Sequence, residues 1–433
     1  MPLPFATMGL GVGRMGAART KGGGWTYAQA IAALQTTLTA AGVWAKGEEL
    51  YIFAADTEAQ ALTNLLTGTT TLSKAGTIPF TARCGFAGNG VDGRLVGRAY
   101  STMSKLGQNS LASFLYTGSS GTSGTADFGS SNSGEKILIQ AANTTTTAVL
   151  RQNTTNSNSV TIAREWGFRG SSRTGSANYL AQMDDVQTTV TEASVGLPGG
   201  NMVIGGVAAT GFARRRLMAA GMFSGLSSAE LTALRDAVEL CLSRLGAFRN
   251  PIWTEGDSYM AGSTGIFPLN GELSIQAARV ANQTAAGGST MATAAARMAG
   301  LSARFADTLV FWDGYADGFV SLSASMANYA TIVGLLGHNR YLIAHPVRRP
   351  GMTSQQNSDT LDIQNALAAA YPGHIFNAQA ALAALGNPVA DATDIANNVV
   401  PSSLLAADTV HLNAATLATI AGQMAAVLAS NGW

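Results

Sequence analysis

The chain changes its period around residues 248–251, and that change limits the folds open to it more than any other feature. Upstream, from about Phe80 to Phe223, apolar residues come in short runs: Lys136-Ile-Leu-Ile139, Ala148-Val-Leu150, Val160-Thr-Ile162 and Met202-Val-Ile204. Ser/Thr/Asn/Gly stretches separate them, as at 118–124. Many short strands with polar turns predict a β-sandwich. Downstream of Phe248-Arg-Asn-Pro251, strand-like and helix-like runs alternate. Thr308-Leu-Val-Phe-Trp312 and Arg340-Tyr-Leu-Ile-Ala-His345 read as strands; 289–300 and the segment from Asn413 onward read as helices. Such alternation predicts a doubly wound α/β layer. The expected organisation is a Gly-rich leader at 1–24, a helical entry and sandwich at 25–247, and an α/β domain at 248–433.

A chain of 433 residues has room for this. With a net charge of +1 and 12% charged residues, nothing points to a nucleic acid or an anionic membrane. An apolar content of 46% argues against a disordered chain. No apolar run is long enough to span a bilayer. The first residues lack a basic leader, so export by the general secretory route is not expected. Gly11, Gly13 and Gly16 match the dinucleotide fingerprint in spacing, but no strand can precede them, so they read as a flexible leader or an assembly contact.

Residues 26–42 predict a helix with Ile31, Leu34 and Leu38 on one face. Leu50-Tyr-Ile-Phe53 predicts a strand, and 57–66 a second helix. Ser227 and Glu230 form a capping-box pattern ahead of a stripe that includes Leu231, Leu234, Val238 and Cys241. Cys241 is therefore expected as a buried thiol; a disulfide to Cys84 stays open, and neither has metal-ligand spacing. Trp166 and Tyr179 are loop aromatics in this reading, structural in the first instance and able to stack on a sugar in the second.

The chemistry is expected at Gly256-Asp257-Ser258. Ile252 and Trp253 read as the end of a buried strand, and a serine on the following turn is held at the carboxyl edge of a sheet. A serine hydroxyl needs a base before it attacks anything. Of the four histidines, His338, His345, His374 and His411, only His411 follows a carboxylate by three residues, Asp408. That spacing can place both side chains on one side of a turn, the carboxylate orienting the imidazole. His345 reads as structural or as a substrate contact, His338 and His374 as loop residues, and Trp253 and Trp312 as sheet core.

Gly256-Asp257-Ser258 followed by Asp408-x-x-His411 resembles the SGNH (GDSL-like) hydrolase family, over roughly residues 250–433. The family carries a glycine block and a Gly-x-Asn-Asp block between these two. Asn282-Gln-Thr-Ala-Ala-Gly-Gly288-Ser-Thr290 resembles the first. Gly314-Tyr-Ala316-Asp317 resembles the second, with Ala316 where the family has asparagine. The resemblance implies a three-layer α/β fold around a flavodoxin-like parallel sheet, and ester hydrolysis without metal or organic cofactor. Ser258 would be the nucleophile, His411 the base and Asp408 its orienting carboxylate. The backbone N–H groups of Ser258 and Gly288 would hold the oxyanion. Ala316 cannot supply the family's third donor, a loss that typically costs ~10²–10³ in rate. Asp313 and Asp317 flank the gap and read as loop hydrogen-bond partners.

Residues 25–247 resemble a module of phage and prophage particle proteins that leads into a concanavalin-like (laminin-G-like) jelly roll. This implies a virion component made in the host cytoplasm. Its expected partners are a cell-surface polysaccharide substrate and other tail proteins; a homo-oligomer is allowed but no heptad stretch demands it. Carbohydrate O-deacetylation is the implied activity. A catalytically weak receptor-binding component and a lipid esterase are the alternatives.

Overall fold

The computed structural model describes residues 25–119, 125–131, 136–143, 147–162, 166–206, 212–248, 251–262, 268–277, 279–301, 307–313 and 321–433. The leader with Gly11, Gly13 and Gly16, and the block with Gly314, Ala316 and Asp317, lie outside the described residues.

Upstream of residue 248 the described chain forms two large antiparallel sheets. The eight-stranded one is centred on Leu111–Thr117, flanked by Gly167–Arg173 and Arg216–Phe223. In the seven-stranded one, Ile137–Gln140 pairs with Thr147–Gln152, Ile139 opposite Leu150. Both sheets feed one apolar cluster, which takes Phe114 and Met222 from the first and Ile137, Ile139 and Leu150 from the second. Leu138 points the other way, to a small patch with Ala126 and Val149. That alternation is the two-residue period of a strand with a different environment on each face.

Two helices close this part. Tyr27–Ala40 starts at a Thr26/Gln29 capping box and buries Ala30, Leu34 and Leu38. Ser228–Arg244 starts at the Ser227/Glu230 capping box and packs against it. Glu230 also pairs with Lys46 at 2.7 Å. Cys241 is buried, and no disulfide joins it to Cys84.

Two expectations need correction here. The helix expected at 57–66 is only Glu58–Ala61, because Asn64 draws the chain away. Its side chain donates to the Glu48 carbonyl at 3.0 Å and accepts from the N–H groups of Leu50 and Leu66. Trp166 and Tyr179 are no sugar platform, being buried at 3% and 1% exposure. Tyr179 lies within the strand Asn178–Met183, its hydroxyl donating to the Leu150 carbonyl at 3.3 Å.

Downstream, five parallel strands form one sheet: β1 (Ile252–Gly256), β2 (Ala281–Gln283), β3 (Thr308–Trp312), β4 (Tyr341–Ala344) and β5 (Ile375–Phe376). Their spatial order is 2-1-3-4-5. The helices that cover it are α1 (Ser258–Ala261), α2 (Leu269–Gln276), α3 (Met291–Ala299), α4 (Leu322–Gly334), α5 (Ser354–Ala370), α6 (Ala378–Leu385) and α7 (Ala414–Ser430), with a short helical turn at Ala392–Ala396 before the last. One face of the sheet, with Ile252, Val310 and Leu342, is covered by α1, α2, α6 and α7. The other, with Trp253, Phe311 and Ile343, is covered by α3, α4 and α5. Leu417, Ile420, Met424 and Leu428 form the inner face of α7, and Trp253 and Trp312 are wholly buried. In a sheet of this order the crevice between β1 and β3, where the winding reverses, is where ligands bind.

The two parts meet at α2. Arg216, buried in the eight-stranded sheet, donates to Ser274 Oγ at 3.2 Å and to the Ile275 carbonyl at 3.1 Å. Arg214 pairs with the buried Glu272 beside it.

Candidate active site

The register of the parallel sheet sets out the site. Gly256, Trp312, Ala344 and Phe376 pair across four strands, so Asp257, Asp313, His345 and Asn377 follow them along the carboxyl edge. Gly256 could be no other residue. Its φ is +143°, and an added Cβ would sit 1.9 Å from the Trp312 carbonyl oxygen. β1 can therefore turn sharply against β3 and lift Ser258 clear of the sheet. Asp257 caps α1, its carboxylate accepting from the Tyr259 N–H at 2.9 Å.

His411 comes from the loop before α7. Asp408 accepts from the N–H groups of Val410 at 3.0 Å and His411 at 2.9 Å through Oδ1, while Oδ2 meets the His411 ring Nδ1 at 2.5 Å. The carboxylate is thus fixed by the backbone of the turn it orients. What burial it has pushes its carboxyl up, but the Val410 and His411 donors outweigh that and bring it down to about 2. Asp408 is therefore ionised at any pH at which His411 could act as a base. With Nδ1 engaged, the other ring nitrogen is the one left to act. Nε2 is buried and meets no hydrogen-bond partner among the described residues.

Ser258 and His411 line one small surface pocket with Tyr259, Gly262, Leu412 and Leu417. They do not hydrogen-bond one another. Catalytic contacts of this kind are often long without substrate and tighten in the complex. What brings them together is Tyr259. Its hydroxyl donates to the Val410 carbonyl at 2.7 Å, tying the residue after Ser258 to the residue before His411. Burial holds its phenol well above the usual tyrosine range. Tyr259 also packs on Trp312, the ring centroids 5.2 Å apart.

The glycine block runs beside Ser258. Thr284 and Ala286 donate from their N–H groups to the carbonyls of Thr254 at 3.0 Å and Gly256 at 3.2 Å, extending the β1 edge. A Cβ on Gly287 would lie 3.9 Å from the Ser258 Cβ, whereas one on Gly288 would meet nothing within 4 Å. Gly288, at φ +69°, makes the turn into the capping box of α3. The Cβ direction of Gly287, which the motif did not single out, is the one that points toward Ser258. Nothing in a Gly-Gly pair says which member faces the serine. Tyr259 was missed for a similar reason: its reach to Val410 spans 151 residues and leaves no local pattern.

Asp313 is buried at the end of β3. His345 is buried at the end of β4 and its Nε2 meets no protein partner; burial lowers its pKa from 6.5, with an opposing hydrogen bond to Asn377. The other two histidines stand apart: His374 stacks between Tyr341 and Trp433, and His338 accepts from the Arg340 N–H at 3.1 Å. Among the described residues no three His, Cys, Asp or Glu side chains gather as a metal would need, and no helix is long and apolar enough to cross a membrane.

No protein-family model matches the sequence, and no curated protein matches it. Solved structures do show partial likenesses. A lipase/acylhydrolase from Enterococcus faecalis is 14% identical with a TM-score of 0.35, over 42% of this chain and 96% of that one. A lipolytic protein of the G-D-S-L family from Desulfitobacterium hafniense is 14% identical with a TM-score of 0.34, over 41% and 99%. Trypanosoma rangeli sialidase is 11% identical with a TM-score of 0.33, over 46% of this chain and 33% of its own. At these TM-scores none of the likenesses decides the fold or the chemistry, which rest on the geometry above.

Proposed function

We propose that the protein is a serine esterase of the SGNH type. The observation that carries this is the pairing of Ser258 and His411 in one pocket, with Asp408 on the imidazole's Nδ1 and Nε2 buried without a partner among the described residues. In this mechanism Ser258 attacks the ester carbonyl. His411 takes the hydroxyl proton at Nε2 and returns it to the leaving alcohol; water then releases the acyl group by the same steps. Asp408, ionised throughout, stabilises the imidazolium. The developing oxyanion is held by the backbone N–H of Ser258 and one from the glycine block. There Gly288 is the donor the motif suggests and Gly287 the one whose Cβ direction points toward Ser258.

We take the substrate to be an O-acetylated bacterial cell-surface polysaccharide, and the two antiparallel sheets to be a concanavalin-like jelly roll on a phage or prophage particle. Support for that part is the sequence resemblance of 25–247. Ala316 is the feature that favours the other reading, a tail component with a weakened site.

The test is direct. A fluorophosphonate should label the protein at Ser258, and Ser258→Ala should lower turnover of an acetyl nitrophenyl ester by ~10⁴ or more. Activity above about a tenth of wild type in Ser258→Ala, or labelling elsewhere, would remove Ser258 from the mechanism.

A further inference from the structure

The carboxyl end of β1 holds a half-buried ion pair that the mechanism above does not use. Glu255, immediately before Gly256, is completely buried. It shares the α3 side of the sheet with Trp253, since alternate strand residues share a face. Its carboxylate accepts from Arg297 on α3, at 3.1 Å from Nε to Oε1 with a closer contact from Nη2. It also accepts from the Thr284 hydroxyl, which receives the Trp253 indole N–H.

Arg297 lies in the last turn of α3, yet it serves the other end of the helix. Helical side chains lean toward the N-terminus. Nη2 donates to Ser289 Oγ at 3.0 Å and reaches the Gly256 carbonyl at 3.5 Å. One guanidinium thus touches the residue two before Ser258 and the residue just after Gly288. The segment it spans is the one in which the Cβ direction of Gly287 points toward Ser258.

We infer that Arg297, held in place by Glu255, is a positioning residue. It fixes the distance between the Ser258 N–H and the N–H groups of Gly287 and Gly288, and so the shape of the oxyanion pocket. The inference rests on the esterase reading. Oxyanion donors work only within about 0.2 Å of their best distance, 2.7–3.1 Å from the oxyanion. A displacement of about 1 Å can cost ~10²-fold in rate. Two adjacent glycines have the least backbone stiffness with which to hold such a geometry. A planar guanidinium can bond a carboxylate, a carbonyl and a hydroxyl together; a lysine ammonium cannot reproduce that fork.

The test uses the full chain. Arg297→Lys keeps a cation beside Glu255 but loses the fork. Ser289→Ala removes only the loop end of the bridge. With an acetyl nitrophenyl ester, kcat should fall ~10–100-fold in the first and ~3–10-fold in the second, with KM within about two-fold. The rate of fluorophosphonate labelling at Ser258 should fall in parallel. In Arg297→Ala, guanidinium chloride at roughly tens of millimolar should restore part of kcat, and sodium chloride at equal ionic strength should not. If Arg297→Ala fails to fold, the first two variants decide. Wild-type kcat in both Arg297→Lys and Ser289→Ala, or a loss confined to KM, would overturn the positioning role. If wild type is not labelled at Ser258, the esterase reading fails and takes this inference with it. If wild type and variants label at one rate, only the positioning role falls.

Discussion

The antiparallel and parallel regions both bury polar side chains, but they complete them differently. Arg173, wholly buried in the eight-stranded sheet, donates to the carbonyls of Gln152 at 2.9 Å, Ser176 at 3.1 Å, Asn178 at 3.2 Å and Glu192 at 2.9 Å. It also lies over the Tyr179 ring. Its bonding is closed within the protein, and it staples one strand to the turns around it. His411, at the carboxyl edge of the parallel sheet, is completed on one side only. A buried polar atom whose partners are all internal reports architecture; one left open beside a serine reports where a substrate's atoms would go.

The contrast is breakable at each end. The largest effect is expected at the open site: Asp408→Asn should lower kcat by ~10³–10⁴ through loss of the imidazole's orienting carboxylate, with the circular dichroism spectrum unchanged. At the closed one, Arg173→Met should destabilise the chain by about 3 kcal/mol, because the buried Gln152 carbonyl and three half-buried ones lose their donor. Thermal melting would register this, while kcat of the remaining folded protein should stay within about two-fold of wild type. A large kcat loss in Arg173→Met would erase the distinction between the regions.

Tyr259→Phe tests the joint between the serine turn and the histidine loop. Removing one buried hydrogen bond should cost about 1 kcal/mol in stability, but ~10-fold in kcat, since the two side chains would no longer be held to a common pocket. A stability loss with no kcat loss would make Tyr259 purely architectural. The smallest effect is a pH slope. Burial depresses the pKa of His345 below its ordinary 6.5. The folded state then binds fewer protons than the unfolded one below that pH, so the stability His345 contributes is full above about 6.5 and is lost as pH falls through its folded value. The drop in Tm between pH 7.5 and 5.5 should be shallower in His345→Gln than in wild type.

How much of this was legible beforehand depended on the range of the interactions involved. The helix Ser228–Arg244 was readable because its cap, Ser227 and Glu230, and its stripe are local. The turn at 408–411 was readable for the same reason: three residues suffice to bond Asp408 to His411. The helix expected at 57–66 failed where Asn64 took non-local partners, the backbone of Glu48 and Leu50. Tyr179 was misplaced on a loop, and Trp166 was taken as open to a sugar, because burial between segments distant in sequence has no signature in the residues themselves. At the site, Ser258, Asp408 and His411 could be named, whereas Tyr259, Gly287 and Arg297 could not, each acting through a partner that only folding supplies.

The sequence by itself determined the alternation of short strands upstream and of strands with helices downstream, because hydrophobic period depends on neighbours a few residues away. It also offered the serine, histidine and aspartate of the proposed site. Tertiary structure alone decided that the strands run in the order 2-1-3-4-5, and that Tyr259 draws Val410 and His411 to the end of β1. It alone turned the Cβ direction of Gly287 toward the serine. Each of these depends on the pairing of segments far apart in the chain, and the strength of such pairing is a property of the packed core and not of any stretch within it.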